Sequence, residues 1–337
     1  MVSSQIDGKH IQITHAYLPL RPHTNTTTSP IRFDTQDTLY DLTFSESHSS
    51  RLLTASGDGT LKIFDLSIPA STPFPIATWS EHSREVFACA WNLVSKSRFL
   101  SSSWDGCVKI YDPEREQSLL TLPTGTCTYS AQWSPHEDGV VSAVGGDGVT
   151  RIYDLRTPAS ARNHLVASIG PQSSTGMGMG MGVPPASAAM TVPPPAELLT
   201  HDWNKYRSTI LATGSVDKLI RTFDLRNPNA GPVAVLTGHD YAVRRVAWSP
   251  HLSDLLLTAS YDMSCRVWTD GQAIGVGQDS LQGQAAPGFG KELGRMDQHT
   301  EFATGVDWCL FGAEGWCAST AWDERVLVWD VRAVMGR

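Results

Sequence analysis

The chain of 337 residues is short of charge. Asp, Glu, Lys and Arg make up only 18% of it, and 34 acidic residues outnumber 26 basic ones, giving a net charge of −8. That balance argues against a broad phosphate-binding surface, so no nucleic acid is expected as a partner. No stretch approaches the ~18 consecutive apolar residues of a membrane span, and no direct membrane insertion is expected. The opening residues Met1-Val2-Ser3-Ser4-Gln5 lack the basic-then-apolar pattern of a secretory signal. The closing Val334-Met335-Gly336-Arg337 carries no lipidation or Ser-Lys-Leu-type address. Six cysteines (Cys89, Cys107, Cys127, Cys265, Cys309 and Cys317) form no Cys-x-x-Cys pair. Reduced, buried thiols are expected, with no metal site. The run from Gly176 to Gly182 is no phosphate loop, because no Gly-Lys-Ser/Thr follows it. No paired catalytic carboxylates stand out and no cofactor is expected. What the chain does have is apolar material, 41% of residues, enough for a sizeable core.

A short unit recurs six times: a small-residue step, an Asp, then an alternating strand ending in an aromatic. It reads Ser56-Gly57-Asp58 to Phe64-Asp65, Ser103-Trp104-Asp105 to Tyr111-Asp112, and Gly145-Gly146-Asp147 to Tyr153-Asp154. It returns as Ser215-Val216-Asp217 to Phe223-Asp224, Ser260-Tyr261-Asp262 to Trp268-Thr269, and Ala321-Trp322-Asp323 to Trp329-Asp330. The turn aspartates lie 47, 42, 70, 45 and 61 residues apart. A base period of about 45 residues is that of a four-stranded propeller blade. Insertions at 157–197 and 270–295 account for the two long intervals; both are Gly-rich, without strand or helix periodicity, and read as solvated loops. A second strand type precedes each turn and ends in an aromatic, as in Val86 to Trp91 and Val243 to Trp248. His82, His239 and His299 stand 23 or 24 residues before Asp105, Asp262 and Asp323.

This pattern resembles the WD repeat over roughly residues 37–332. The resemblance implies an all-β, WD-repeat β-propeller of six complete blades plus a partial N-terminal seventh. The propeller domain is placed at 37–333. Residues 1–36 form an irregular segment in which Gly8 to Ile13 looks like a lone third strand of a blade. Closure of the ring by six or by seven blades is left open. A His, a turn Asp, a Ser/Thr and a strand Trp can tie a loop to its blade. The expected sets are His82 with Asp105; His239, Asp262, Trp268 and Thr258; and His299, Asp323 and Trp329. Their recurrence marks them as structural rather than as catalytic dyads, and no enzymatic activity is expected.

A propeller does not name its function, so function is read from its loops. The turn before each Asp and the entry of each inner strand are expected to build one face. Large aromatics are common there: Tyr40, Trp104, Tyr129, Tyr261, Phe302 and Trp322. Arg244 stands among them, and Asp37, Glu85 and Glu301 add negative charge. Aromatics ringed by acids suit an apolar helix face carrying a positive residue. The alternative for Trp104 and Trp322 is simple stacking between blades. An acidic, aromatic ring also suits a histone-tail reader or a ubiquitin-ligase substrate adaptor.

At a finer level, several loop segments resemble the cytosolic receptors for the type 2 peroxisomal targeting signal, the peroxin-7 proteins. They include Glu81-His82-Ser83-Arg84-Glu85-Val86-Phe87, Phe99 to Gly106, Asp202 to Arg207, Ala242 to Val246, His299-Thr300-Glu301-Phe302 and Ser319 to Asp323. The resemblance implies a non-enzymatic receptor that cycles between cytoplasm and peroxisome. Its partners are then matrix proteins bearing the signal, an import co-receptor and the peroxisomal docking complex. The signal in that family is Arg-Leu, five residues, then His/Gln-Leu, which on a helix forms one amphipathic stripe. The aromatics are expected to receive the stripe, and Asp37, Glu85 and Glu301 its arginine.

Overall fold

The structure, a computed structural model, describes residues 2–7, 10–15, 31–34, 37–68, 75–159, 162–170, 195–272, 290–310 and 314–335. The chain folds as an all-β WD-repeat propeller, and its described residues hold six successive blades, each an antiparallel meander. Blade one runs Leu39–Phe44, Arg51–Ser56, Leu61–Asp65 and Ala77–Trp79 from axis to rim. The inner strands of blades two to six are Val86–Trp91, Thr128–Trp133, Leu198–Trp203, Val243–Trp248 and Ala303–Trp308. Blade six has three strands; after Val326–Asp330 the chain turns into the four-residue helix Val331–Val334. The expected six complete blades are therefore five of four strands and one of three.

Where a sheet packs against each face, the second strand of a blade is buried on both sides. Arg51–Ser56, Leu255–Ser260 and Ile210–Ser215 are buried along almost their whole length. Aromatics at strand ends fill the wedge between blades. Phe99 and Tyr111 stack 5.0 Å apart with Trp79 and Trp91 against Phe99, and Trp248 and Trp268 are fully enclosed. Each such ring pair adds about 0.5–1.5 kcal/mol beyond its area burial. Blades are also clipped together near the axis. The Trp133 and Trp308 indoles donate to Ala90 and Ala247 carbonyls, and the Asp41 and Asp202 carboxylates accept the Cys89 and Trp248 amides.

Two segments expected to be loops carry outer strands. Leu165–Ile169 completes blade three and Lys291–Met296 completes blade five. Both are half-exposed edge strands, so the two-sided apolar signal of an inner strand is missing from them. The Gly/Met run and the Pro tract lie outside the described residues. Residues 1–36, expected to be irregular apart from one strand, hold three: Val2–Asp7, His10–His15 and Ile31–Asp34, paired as an antiparallel meander. Neighbouring inner strands pack on one another from blade one to blade six, but those of blades six and one do not pack in this way. Cys89, Cys265 and Cys317 are buried as expected, whereas Cys107, Cys127 and Cys309 are only half-buried; none of the six is in a disulfide.

Candidate functional site

One end of the ring is built by two loops per blade, held together by one repeated hydrogen bond. The amide of the residue before each turn Asp donates to the entry of the inner strand. The pairs are Gly57 to Thr38, Trp104 to Glu85, Gly146 to Cys127, Val216 to Glu197, Tyr261 to Ala242 and Trp322 to Phe302, at 2.8–3.1 Å. Turn and strand entry therefore share a face in all six blades. A second repeated device aims the side chains. Every inner strand slips register by one residue at its second position, leaving Tyr40, Phe87, Tyr129, Leu199, Arg244 and Thr304 in a bulge. A bulge bends its strand and turns one side chain out of the ladder.

The turn aspartates are braced as expected where a His is present. In blade five, neutral His239 donates from Nδ1 to Asp262 (2.7 Å) and accepts at Nε2 from Thr258 (2.7 Å), whose oxygen takes the Trp268 indole N–H (2.8 Å). His299, Asp323, Ser319 and Trp329 repeat the set, and His82 joins Asp105 to Ser101. Burial holds the pKa of His82 and His239 below the usual value, against the pull of the paired carboxylates. For Asp262, burial acts upward but is outweighed by His239 and further donors, so its pKa falls. Blades without this His use a base four residues after the Asp: Lys62 on Asp58, Arg151 on Asp147 and Arg221 on Asp217. That i+4 base is a signal the repeat reading overlooked.

The expected aromatics gather into two groups. Tyr40, Trp104 and Tyr129 meet around Phe87: Tyr40 stacks on it at 4.5 Å, Trp104 at 5.2 Å, and Tyr129 meets it edge-on at 5.4 Å. Tyr261, Phe302 and Trp322 form the second group, with centroids 5.1–6.4 Å apart. Arg244 joins them, its guanidinium 5.0 Å from the Phe87 ring centroid and within hydrogen-bonding reach of Tyr261. The result is a continuous strip: Trp104, Phe87, Arg244, Tyr261, Phe302, Trp322. Trp322 is 63% exposed, so it is a surface group rather than an inter-blade filler, and Trp104 is half-buried in its stack.

Asp37 and Glu85 converge on Tyr40. Burial is the main cause raising that phenol's pKa, followed by the charges of Glu85 and Asp37, with Arg244 opposing. Glu85 holds Arg84 at 3.5 Å, an exposed pair worth about 0–1 kcal/mol that another cation can displace. Glu301 stands exposed beside Phe302 and forms no ion pair among the described residues. Phe87, Glu197 and Val216 hold strand-entry and turn positions that the sequence puts on this face without assigning them a contact; Phe87 proves to be the hub of the first group, and Glu197 accepts the Tyr129 hydroxyl at 2.9 Å. The exposed Tyr241 and Met263 join Val216 on the same rim without any signal from the repeat. A separate hollow of ≈ 100 Å³, at the other end of the inner strands between Gln132, Asp202, Arg245 and Asp307, takes in none of the expected site residues. No group of three metal-ligating side chains occurs among the described residues.

Repeated blades with a decorated loop face define a WD-repeat propeller of the protein-binding kind. The family model for the WD domain, G-beta repeat, matches residues 29–65, 73–112 and 230–269. Relatives span nearly the whole chain. The peroxisomal targeting signal 2 receptor of Saccharomyces cerevisiae is 37% identical, covering 88% of this chain and 84% of its own. Peroxisome biogenesis protein 7 of Arabidopsis thaliana is 38% identical over 93% and 84%, and the human peroxisomal targeting signal 2 receptor 33% over 81% and 71%. The chain belongs to the family of peroxisomal targeting signal 2 receptors.

Proposed function

We propose that this chain is a receptor for the type 2 signal and delivers proteins bearing it for peroxisomal import. The observation that carries the reading is the aromatic strip with carboxylates at one end. An amphipathic helix with a leading arginine has the complementary form. Its leucines cover the rings, and its arginine meets Asp37 and Glu85 beside Tyr40, with Glu301 as a third carboxylate further along the rim. A nine-residue helix is about 13 Å long, short enough to lie on one propeller face. The partners this implies are matrix proteins with the signal, an import co-receptor and the peroxisomal docking complex. The receptor then moves between cytoplasm and peroxisome without catalysing a reaction. No helix among the described residues is long and apolar enough to cross a membrane.

The test is fluorescence anisotropy with a labelled Arg-Leu-x5-His-Leu peptide. Trp104→Ala and Trp322→Ala are expected to weaken binding about ten-fold or more, as for buried aromatic anchors, with melting temperature nearly unchanged for exposed Trp322. Equal binding of a basic histone-like peptide contradicts the reading.

We also infer that the strands Val2–Asp7, His10–His15 and Ile31–Asp34 form the partial seventh blade. In its support, Ile31–Asp34 leads into blade one as outer strands elsewhere lead into the next inner strand, and the inner strands of blades six and one lack the packing that joins the other neighbours among the described residues. Hydrogen exchange checks it: protection of the blade-one inner strand is expected to drop when residues 2–34 are deleted, and unchanged protection refutes it.

A further inference from the structure

Arg244 departs from the rule of its own position. The bulged second residue of the inner strand is Tyr40, Phe87, Tyr129, Leu199 or Thr304 in the other blades, all uncharged, and a cation only in blade five. It stands where the two aromatic groups meet, half-buried, between Phe87 and Tyr261. Among the described residues no carboxylate forms an ion pair with it within 4 Å, and the next residue, Arg245, carries the same charge. The Asp41 carboxylate acts on it only from beyond ion-pair distance and Tyr261 takes one of its hydrogen bonds, so part of its charge is left for whatever lies along the strip.

We infer that Arg244 is a charge filter for the middle of the bound signal helix. This rests on the receptor reading. In Arg-Leu-x5-His-Leu the first and last pairs and the third spacer residue share one helix face. With the pairs on the two aromatic groups, the third spacer residue falls over Arg244. A Lys or Arg there meets a like charge that water screens poorly; a Glu there meets an opposite one. The filter thus selects among signals by a spacer position that the Arg-Leu and His-Leu pairs leave unspecified.

The experiment compares three labelled peptides, with Leu, Glu or Lys as third spacer residue, against the full chain. Lys is expected to bind about ten-fold or more weakly than Glu, as like charges across an interface require. Arg244→Lys is expected to keep that ratio, Arg244→Met to bring it close to one, and Arg244→Glu to reverse it. The ratio of two peptides on the same variant is unaffected by a merely structural loss. A wild-type chain that binds Glu and Lys peptides alike overturns the filter, and so does a ratio that survives in Arg244→Met. A chain that binds none of the three overturns the receptor reading and the filter with it, and the Lys/Glu comparison on wild type needs no variant to fold.

Discussion

Thr258 shows how much can hang on one hydroxyl. It donates to His239 Nε2 and accepts from the Trp268 indole, both out of reach of water. Thr258→Val keeps the shape and strands both partners, so a loss of about 2–4 kcal/mol is expected in urea denaturation; a loss below 1 kcal/mol would mean that the set is decoration. His201 is a different buried histidine, sharing the Ser142 hydroxyl with the Trp203 indole across two blades. Burial, helped by the charge of Arg245, brings its pKa down to about 3. Below pH 6.5 the unfolded chain takes up a proton there that the folded chain refuses. Stability should thus fall with pH, by about 1.4 kcal/mol per unit from this group, down to pH near 3. The slope between pH 6.5 and 5 is expected to be shallower in His201→Gln, and an equal slope rules the assignment out. The three loop-bracing histidines were legible because their distance to the turn Asp repeats. The bond of His201 and the hub role of Phe87 were not, because their partners lie in other blades and no spacing within a repeat announces them.

At the scale of elements, the turns of blades one to three and four to six differ. The residue after the turn Asp adopts positive φ when glycine follows, at Gly59, Gly106 and Gly148. At the same place blades four to six carry Lys218, Met263 and Glu324, with φ of 74°, 66° and 61°. A left-handed non-glycine costs about 1–2 kcal/mol, and glycine gives back part of that as unfolded-state entropy. Lys218→Gly is accordingly expected to stabilise the chain by about 0.5–1 kcal/mol in chemical denaturation; a destabilised variant would show that the Lys218 contact with Tyr241 outweighs the strain. Inner, second and third strands were readable from their aromatic ends and two-sided burial. The outer strands at 165–169 and 291–296 were not, since short edge strands with one wet face resemble loops in sequence.

For the whole molecule, the two ends of the ring do different work. At the end opposite the strip, side chains latch blades two to six in succession: Asn92 to Asp138, His136 to the Asn204 carbonyl, Asn204 to the Ser253 carbonyl and His251 to the Cys309 carbonyl. Leu310→Asp on that end, at an exposed position, is expected to change peptide affinity by less than about two-fold, because distant sites act independently; a large loss would move the site to the other face. The sequence placed turns and strand entries on one face through the repeated Asp, but the bridge by Arg244 appears only when the blades are set side by side round one axis. The most direct test of the account is a charge swap measured by anisotropy. Glu85→Arg is expected to lose the Arg-Leu-x5-His-Leu peptide while keeping its melting temperature, and to bind a peptide whose leading arginine is replaced by glutamate more tightly than wild type does. Unaltered binding of the parent peptide to Glu85→Arg, with no gain for the swapped one, would contradict it.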